Sequence, residues 1–125
     1  NYHGTPRKYV QQQLMEGRDV ILEIDIQGAL KVKERFDEGI FIFIVPPSME
    51  ELKRRIVTRG TEDPDVIVKR FSCAFEEINF MKRYNYVVIN DKVEDAVKKI
   101  ESIVMAEKCR VDRNMELIIK LQGGI

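Results

Sequence analysis

The apolar run at residues 20–26 limits what this chain can fold into more than any other stretch. Its sequence, V-I-L-E-I-D-I, is rich in β-branched residues and nearly unbroken, which is typical of a strand covered on both faces of a sheet. Strand side chains alternate with a period of two, so Glu23 and Asp25 would leave one face together near the carboxyl end. That end of an α/β sheet faces the ligand crevice, so we expect the pair to face a crevice rather than an apolar interior. In the alternative, which the composition supports equally, Glu23 is only an edge position and Asp25 caps the next helix.

Two further apolar runs predict two more strands, at residues 40–45 and 86–89. Helical patterns separate the three runs, and such alternation predicts an α/β fold with a mainly parallel sheet flanked by helices. Residues 111–125 show no clear period, and we assign them no structure. Two helices are predicted at residues 6–16 and 28–36. Three more are predicted to begin at helix-capping residues: one at a capping box of Ser48 and Glu51, one at Asp63 and one at Asp91.

The composition excludes a global electrostatic role. The 21 basic residues balance 21 acidic residues, so no net field draws the chain to nucleic acid or to an anionic membrane. Cys73 and Cys109 have neither metal-site spacing nor disulfide-scaffold density, and we expect both to be buried in a protein of the reducing cytoplasm. No apolar run reaches about 18 residues, the length of a membrane span. The first residue is Asn1, so we expect a fragment or a processed chain.

Arginines concentrate in the segment that follows the second apolar run. Arg55 and Arg59 are four residues apart, which would place both guanidinium groups on one helix face. Arg70 starts from the next predicted helix and could reach the same point. Three planar guanidinium groups that converge on one point would suit a phosphoryl group in transfer, whose charge is spread over several oxygens. The alternative is an ordinary solvated run of charges.

Several motifs together resemble the guanylate kinase family over residues 1 to about 107. They are N-Y-H-G-T at 1–5, L-E-I-D-I-Q-G at 22–28, F-I-V-P-P-S at 43–48, R-x-x-x-R-G-T-E at 55–62, K-R at 69–70 and V-V-I-N-D at 87–91. The resemblance implies transfer of the terminal phosphoryl of ATP to GMP, with Mg2+, on a P-loop nucleoside monophosphate kinase fold. It also implies the end of a GMP-binding subdomain (1–18), a core (19–54 and 81–110), a lid (55–80) and a tail of unknown structure (111–125).

The resemblance also implies a role for each matching residue. Thr5 and Asp25 would bind the guanine, and Glu23 lies at a nearby acidic position of the GMP site. His3 replaces the usual tyrosine, and its imidazole could still donate to the GMP phosphate; in the alternative, it is a tolerated surface substitution. Arg55, Arg59 and Arg70 match the lid arginines that bind the ATP phosphates and stabilise the transferred group. Asn90 matches the residue at the adenine edge.

One motif of the family is absent from these 125 residues. No G-x-x-x-x-G-K-[ST] loop occurs in the sequence, although phosphoryl transfer on this fold needs its backbone and lysine. We therefore expect a fold truncated at the N-terminus, a chain that is inactive alone, and no Mg2+ site on it. The loop's strand would lie between the strands at 20–26 and 40–45. Their unpaired edges would then pair directly or drive self-association.

Two alternative functions stay open at the level of the sequence. One is a non-catalytic guanylate kinase-like module that binds proteins, a class that loses the lid arginines and parts of the nucleotide sites. The enzyme is favoured by the residues that this chain retains, which are Arg55, Arg59, Arg70, Thr5, Asp25 and Asn90. The other is a kinase for a different monophosphate, against which Thr5 and Asp25 argue for guanine. The upstream coding sequence would separate the enzyme from the module.

Overall fold

The computed structural model describes residues 7–36, 38–58 and 63–124. The chain divides into two units, Asn1–Phe41 and Ile42–Ile125. Each unit has its own buried apolar residues, which are Ile26, Ala29 and Phe41 in the first and Phe43, Ile56, Val88 and Ala96 in the second.

Two helices lie in the described part of the first unit, residues 7–36 and 38–41, close to their predicted positions. Helix α1 (Arg7–Met15) is stopped by Gly17, whose φ of 84° lies in the left-handed region that favours glycine. The amide of Gly17 donates to the Leu14 carbonyl, and that of Arg18 donates to the Gln13 carbonyl, both at 3.0 Å. These two bonds form a Schellman motif. Helix α2 (Ile26–Arg35) follows and buries Ile26 and Ala29.

In the residues that the structure describes, the second unit is built on two parallel strands. Strand β1 (Ile42–Val45) and strand β2 (Tyr86–Ile89) pair in a register that runs from Ile42 opposite Tyr86 to Val45 opposite Ile89. Parallel strands need a long crossover, which here contains α3 (Met49–Thr58), α4 (Pro64–Ile78) and a 3-10 turn (Asn79–Arg83). Helix α5 (Val93–Lys108), a second 3-10 turn (Val111–Arg113) and α6 (Met115–Gly123) follow.

The predicted strand at residues 20–26 is wrong. Residues 18–25 are neither helix nor strand, and Ile26 is already the first residue of α2. A strand exists only where a neighbouring backbone pairs with it, and the sheet of the described residues consists of β1 and β2. The side chain of Ile21 is 84% exposed. The expected direct pairing of 20–26 with 40–45 is therefore not formed in these residues, and self-association stays a prediction.

The caps predicted at Ser48 and Asp63 are present, although the Glu51 side chain of the predicted capping box bonds to Arg54 and Arg55. Ser48 Oγ accepts the Glu51 amide at 3.0 Å before α3, and Asp63 Oδ1 accepts the Asp65 amide at 2.9 Å at the start of α4. The predicted Asp91 cap is wrong, because α5 starts at Val93 and its N-cap is Lys92, which makes no side-chain capping bond. Asp91 therefore lies one residue too early to cap this helix.

A polar cluster joins the start of β2 to the end of α5. The Tyr86 hydroxyl donates to the Glu107 carboxylate, which is 8% exposed. Arg113 Nε and Arg110 Nε lie 3.5 Å and 3.8 Å from Glu107 Oε1. The hydrogen bond to Glu107 raises the pKa of Tyr86, with burial adding to the shift. These partners compensate for the desolvation of the Glu107 charge.

The two cysteines correct another prediction. Cys73 lies on α4 and Cys109 directly follows α5, and both are exposed. Cysteine is often buried as a small apolar group, but both of these positions lie on the solvent side of their segments. Neither thiol therefore contributes to the core.

Candidate active site

The carboxyl ends of the two strands define the candidate site in the second unit. Asn90 directly follows β2, and its amide donates to the Val45 carbonyl at 2.7 Å, which extends the ladder by one bond past the strand. Residues at the carboxyl edge of a parallel sheet are held by the sheet itself, and ligands of α/β folds bind at this edge.

Arg55 reaches this edge from α3. Its Nη1 donates to the Asn90 carbonyl at 2.8 Å, and its Nε donates to Glu51 Oε2 at 2.7 Å. The side chain is 32% exposed, and its Nη2 takes part in neither bond. The structure therefore brings together Arg55 and Asn90, which the sequence assigned to the ATP site, and leaves a cationic group accessible beside the sheet.

Glu51 holds two arginines of α3 at once. It accepts hydrogen bonds from Arg55, four residues later in the helix, and from Arg54, three residues later. The distance from Arg54 Nε to Glu51 Oε1 is 2.9 Å. The hydrogen bonds from Arg54 and Arg55 lower the pKa of Glu51 from 4.5 to about 2. The same contact raises the pKa of Arg54. Glu51 is therefore ionised at any pH near neutrality.

Sequence reasoning missed Glu51 as a site residue. The position four residues after Arg55 is Arg59, but the position four residues before it is Glu51. A glutamate four residues N-terminal to a basic residue is the more favourable order on a helix. The spacing E-L-K-R-R at 51–55 therefore contained the signal.

Asp25 is the N-cap of α2. Its Oδ1 accepts the Gly28 amide at 2.7 Å, and the side chain is exposed. A Cβ on Gly28 would lie 3.2 Å from that oxygen, so the glycine leaves room for the cap. The capping alternative is confirmed, while the binding of guanine stays a prediction. Glu23 is also exposed, and because residues 18–25 form no strand, Glu23 and Asp25 do not share a strand face as predicted.

The other predicted site residues have different outcomes. His3, Thr5 and Arg59 lie outside the described residues. Arg70 is exposed on α4. The convergence of Arg55, Arg59 and Arg70 on one anion therefore stays a prediction.

Across residues 7–36, 38–58 and 63–124, no group of three or more His, Cys, Asp or Glu side chains could hold a metal ion. Among the helices in these ranges, none combines the length and the apolar character that crossing a membrane requires.

Comparison with known proteins reveals extensive similarity. The guanylate kinase family model matches residues 1–107. Over 122 residues the chain is 62% identical to the guanylate kinase of Caldanaerobacter subterraneus subsp. tengcongensis, covering 98% of this chain and 59% of the relative. Over 125 residues it is 61% identical to the guanylate kinase of Clostridium tetani, covering 100% of this chain and 60% of the relative.

A solved structure supports the same relationship. The crystal structure of guanylate kinase from Anaplasma phagocytophilum matches with a TM-score of 0.76 at 32% identity, covering 96% of this chain and 58% of that chain. This match confirms the predicted fold class, a P-loop nucleoside monophosphate kinase fold with a parallel sheet flanked by helices. The chain spans less than two thirds of the length of each of these relatives. With most of its length matched by the family model, the chain belongs to the guanylate kinase family.

Proposed function

We propose that the protein containing this chain transfers the terminal phosphoryl of ATP to GMP, giving ADP and GDP. The observation that carries the proposal is the identity of 62% and 61%, over nearly the whole chain, to two proteins named guanylate kinase. Because the chain covers only part of these relatives, it would supply some of the residues that the reaction needs.

Arg55 is assigned to the ATP phosphates and to the transferred group. Its guanidinium lies at the carboxyl edge of the sheet, 2.8 Å from the carbonyl of Asn90, which is assigned to the adenine end of ATP. A guanidinium that is held in place, and that has further N–H donors outside its bonds to Glu51 and Asn90, would stabilise the charge that spreads over the phosphoryl oxygens in the transition state. Arg59 and Arg70 are proposed to join it from the lid, residues 55–80.

The GMP site is assigned to residues of the first unit. Thr5 and Asp25 would recognise the guanine, Glu23 would lie beside them, and His3 would donate to the GMP phosphate in place of a tyrosine. Asp25 can do so while capping α2, because Oδ1 holds the Gly28 amide and the carboxylate has a second oxygen. The proposal treats residues 1–18 as the end of the GMP-binding subdomain.

Mg2+ would enter with ATP. The described residues contain no group of three acidic, His or Cys side chains that could hold a metal ion, so they do not fit a resident metal site, and we assign no Mg2+ ligand to them. We place the enzyme in the cytoplasm, where ATP and GMP are available.

Steady-state kinetics of the full-length protein test the proposal. Production of ADP from ATP is measured with GMP, AMP, CMP or UMP as acceptor. We expect turnover with GMP at least about 100-fold above the others, since a site whose polar groups hydrogen-bond one base rejects a base that leaves those groups unpaired. The 125-residue chain is assayed beside it as the matched control and is expected to be inactive, because it contains no G-x-x-x-x-G-K-[ST] loop.

Three results would contradict parts of the proposal. Equal turnover with AMP and GMP would remove the guanine specificity. No turnover with any monophosphate, together with binding of a protein partner, would favour the non-catalytic module. ADP formation by the 125-residue chain at the rate of the full-length protein would show that the loop is dispensable.

A further inference from the structure

Two hydrogen bonds on different atoms fix the orientation of the Arg55 guanidinium. One runs from Nη1 to the Asn90 carbonyl and the other from Nε to Glu51 Oε2. The group cannot rotate about its Cδ–Nε bond without breaking one of them. The Asn90 carbonyl belongs to a backbone that the sheet already holds through its bond to Val45. Of these two hydrogen-bond acceptors, the Asn90 carbonyl is part of the backbone, so a substitution can remove only the Glu51 carboxylate.

The geometry separates Arg55 from Arg54, the other partner of Glu51. The Arg54 side chain is 65% exposed and the Arg55 side chain is 32% exposed. Arg54 and Glu51 lie on the same helix three residues apart, whereas Arg55 also spans from α3 to the sheet edge. The Glu51 contact that bears on the candidate site is therefore the one to Arg55.

We propose that Glu51 is a positioning residue for phosphoryl transfer, which holds the Arg55 guanidinium at the carboxyl edge of the sheet. This inference rests on the proposed function and gives Glu51, predicted from the sequence only as part of a capping box, a role at the site. Glu51 itself would not touch ATP or GMP. An arginine that is pre-positioned needs no reorganisation when charge develops on the phosphoryl group, so the loss of Glu51 should slow the chemical step.

The experiment is a double-mutant cycle on the full-length protein. The variants are Glu51→Gln, Arg55→Met and the double variant, with Glu50→Gln as the matched control because Glu50 is an exposed acid on the same helix turn. We expect Glu51→Gln to lower kcat by about 10-fold to 100-fold, to change the KM for GMP by less than about twofold, and to have no further effect in the Arg55→Met background. Glu50→Gln should retain the wild-type kcat.

The outcomes separate this inference from the proposed function. Wild-type protein without turnover on GMP would overturn the proposed function and the inference with it. If the wild-type protein turns over GMP, two results would overturn the inference alone. One is a loss of kcat in the double variant equal to the sum of the losses in Glu51→Gln and Arg55→Met. The other is a kcat of Glu51→Gln equal to that of Glu50→Gln. If Glu51→Gln does not fold in a denaturation test, Glu51→Asp replaces it, with a loss of kcat expected only where Arg55 is present.

Discussion

Two substitutions at Asp25 separate its role as a helix cap from its proposed role in binding guanine. Its Oδ1 accepts the Gly28 amide at 2.7 Å. Alanine removes this bond and should lower the free energy of unfolding by about 1 kcal/mol, within a range of about 0.5–2 kcal/mol. Asparagine caps about as well as aspartate, so Asp25→Asn should leave the free energy of unfolding nearly unchanged. Denaturant unfolding followed by circular dichroism measures both.

The same pair of variants has a different effect on GMP binding. If the carboxylate accepts a hydrogen bond from the base, its loss removes a charge-assisted bond worth about 1.5–3 kcal/mol. That free energy corresponds to a rise of about 10-fold to 150-fold in the Kd for GMP. Because asparagine keeps the cap and loses the charge, Asp25→Asn should bind GMP nearly as poorly as Asp25→Ala. Calorimetry on the full-length protein gives both values.

Two results would refute this reasoning. Wild-type affinity of Asp25→Asn for GMP would leave Asp25 with the capping role alone. Equal stability of Asp25→Ala and Asp25→Asn would show that the cap seen at α2 contributes nothing to folding.

Two further predictions concern the ionic contacts of the second unit. Folding lowers the pKa of Glu51 from 4.5 to about 2, so its ion pairs contribute their full stability above about pH 4.5 and lose it as the pH falls through about 2. The free energies of unfolding of wild type and Glu51→Gln should therefore converge over that range, and a constant difference would contradict the assignment. Tyr86→Phe removes the hydroxyl that donates to the buried Glu107 and should lower the free energy of unfolding at pH 7, because the Glu107 carboxylate loses a hydrogen-bond donor. A loss equal to that of Tyr9→Phe, a change at an exposed tyrosine, would contradict this.

Local signals in the sequence predicted the helices well. The stop at Gly17 and the caps at Ser48 and Asp63 act through neighbouring backbone groups, so the residues that form them lie within a few positions of one another. The strands β1 and β2 are also predicted by the sequence, because short, continuously apolar runs of this length are typical of strands.

The errors arise where structure depends on distant residues. The run at 20–26 has the composition of a strand, but a ladder needs a paired neighbour, which local composition cannot supply. Helix α6 carries exposed Leu117, Ile119 and Leu121, and no local pattern predicted its bounds. For Glu51, the spacing to Arg55 was readable, but the bond from Arg55 to Asn90 joins residues 35 positions apart and required the structure.

The kcat of Arg55→Lys in the full-length protein tests most directly the claim that Arg55, held at the sheet edge, acts on the transferred phosphoryl group. Lysine keeps the charge but cannot donate from two fixed atoms to Glu51 and Asn90 while facing a phosphate. We predict a fall in kcat with ATP and GMP of at least about 100-fold. The control variant Arg83→Lys, which changes an exposed arginine, should retain the wild-type kcat. A kcat of Arg55→Lys within about twofold of the Arg83→Lys value would contradict the account, since a group worth that little would not stabilise a transition state.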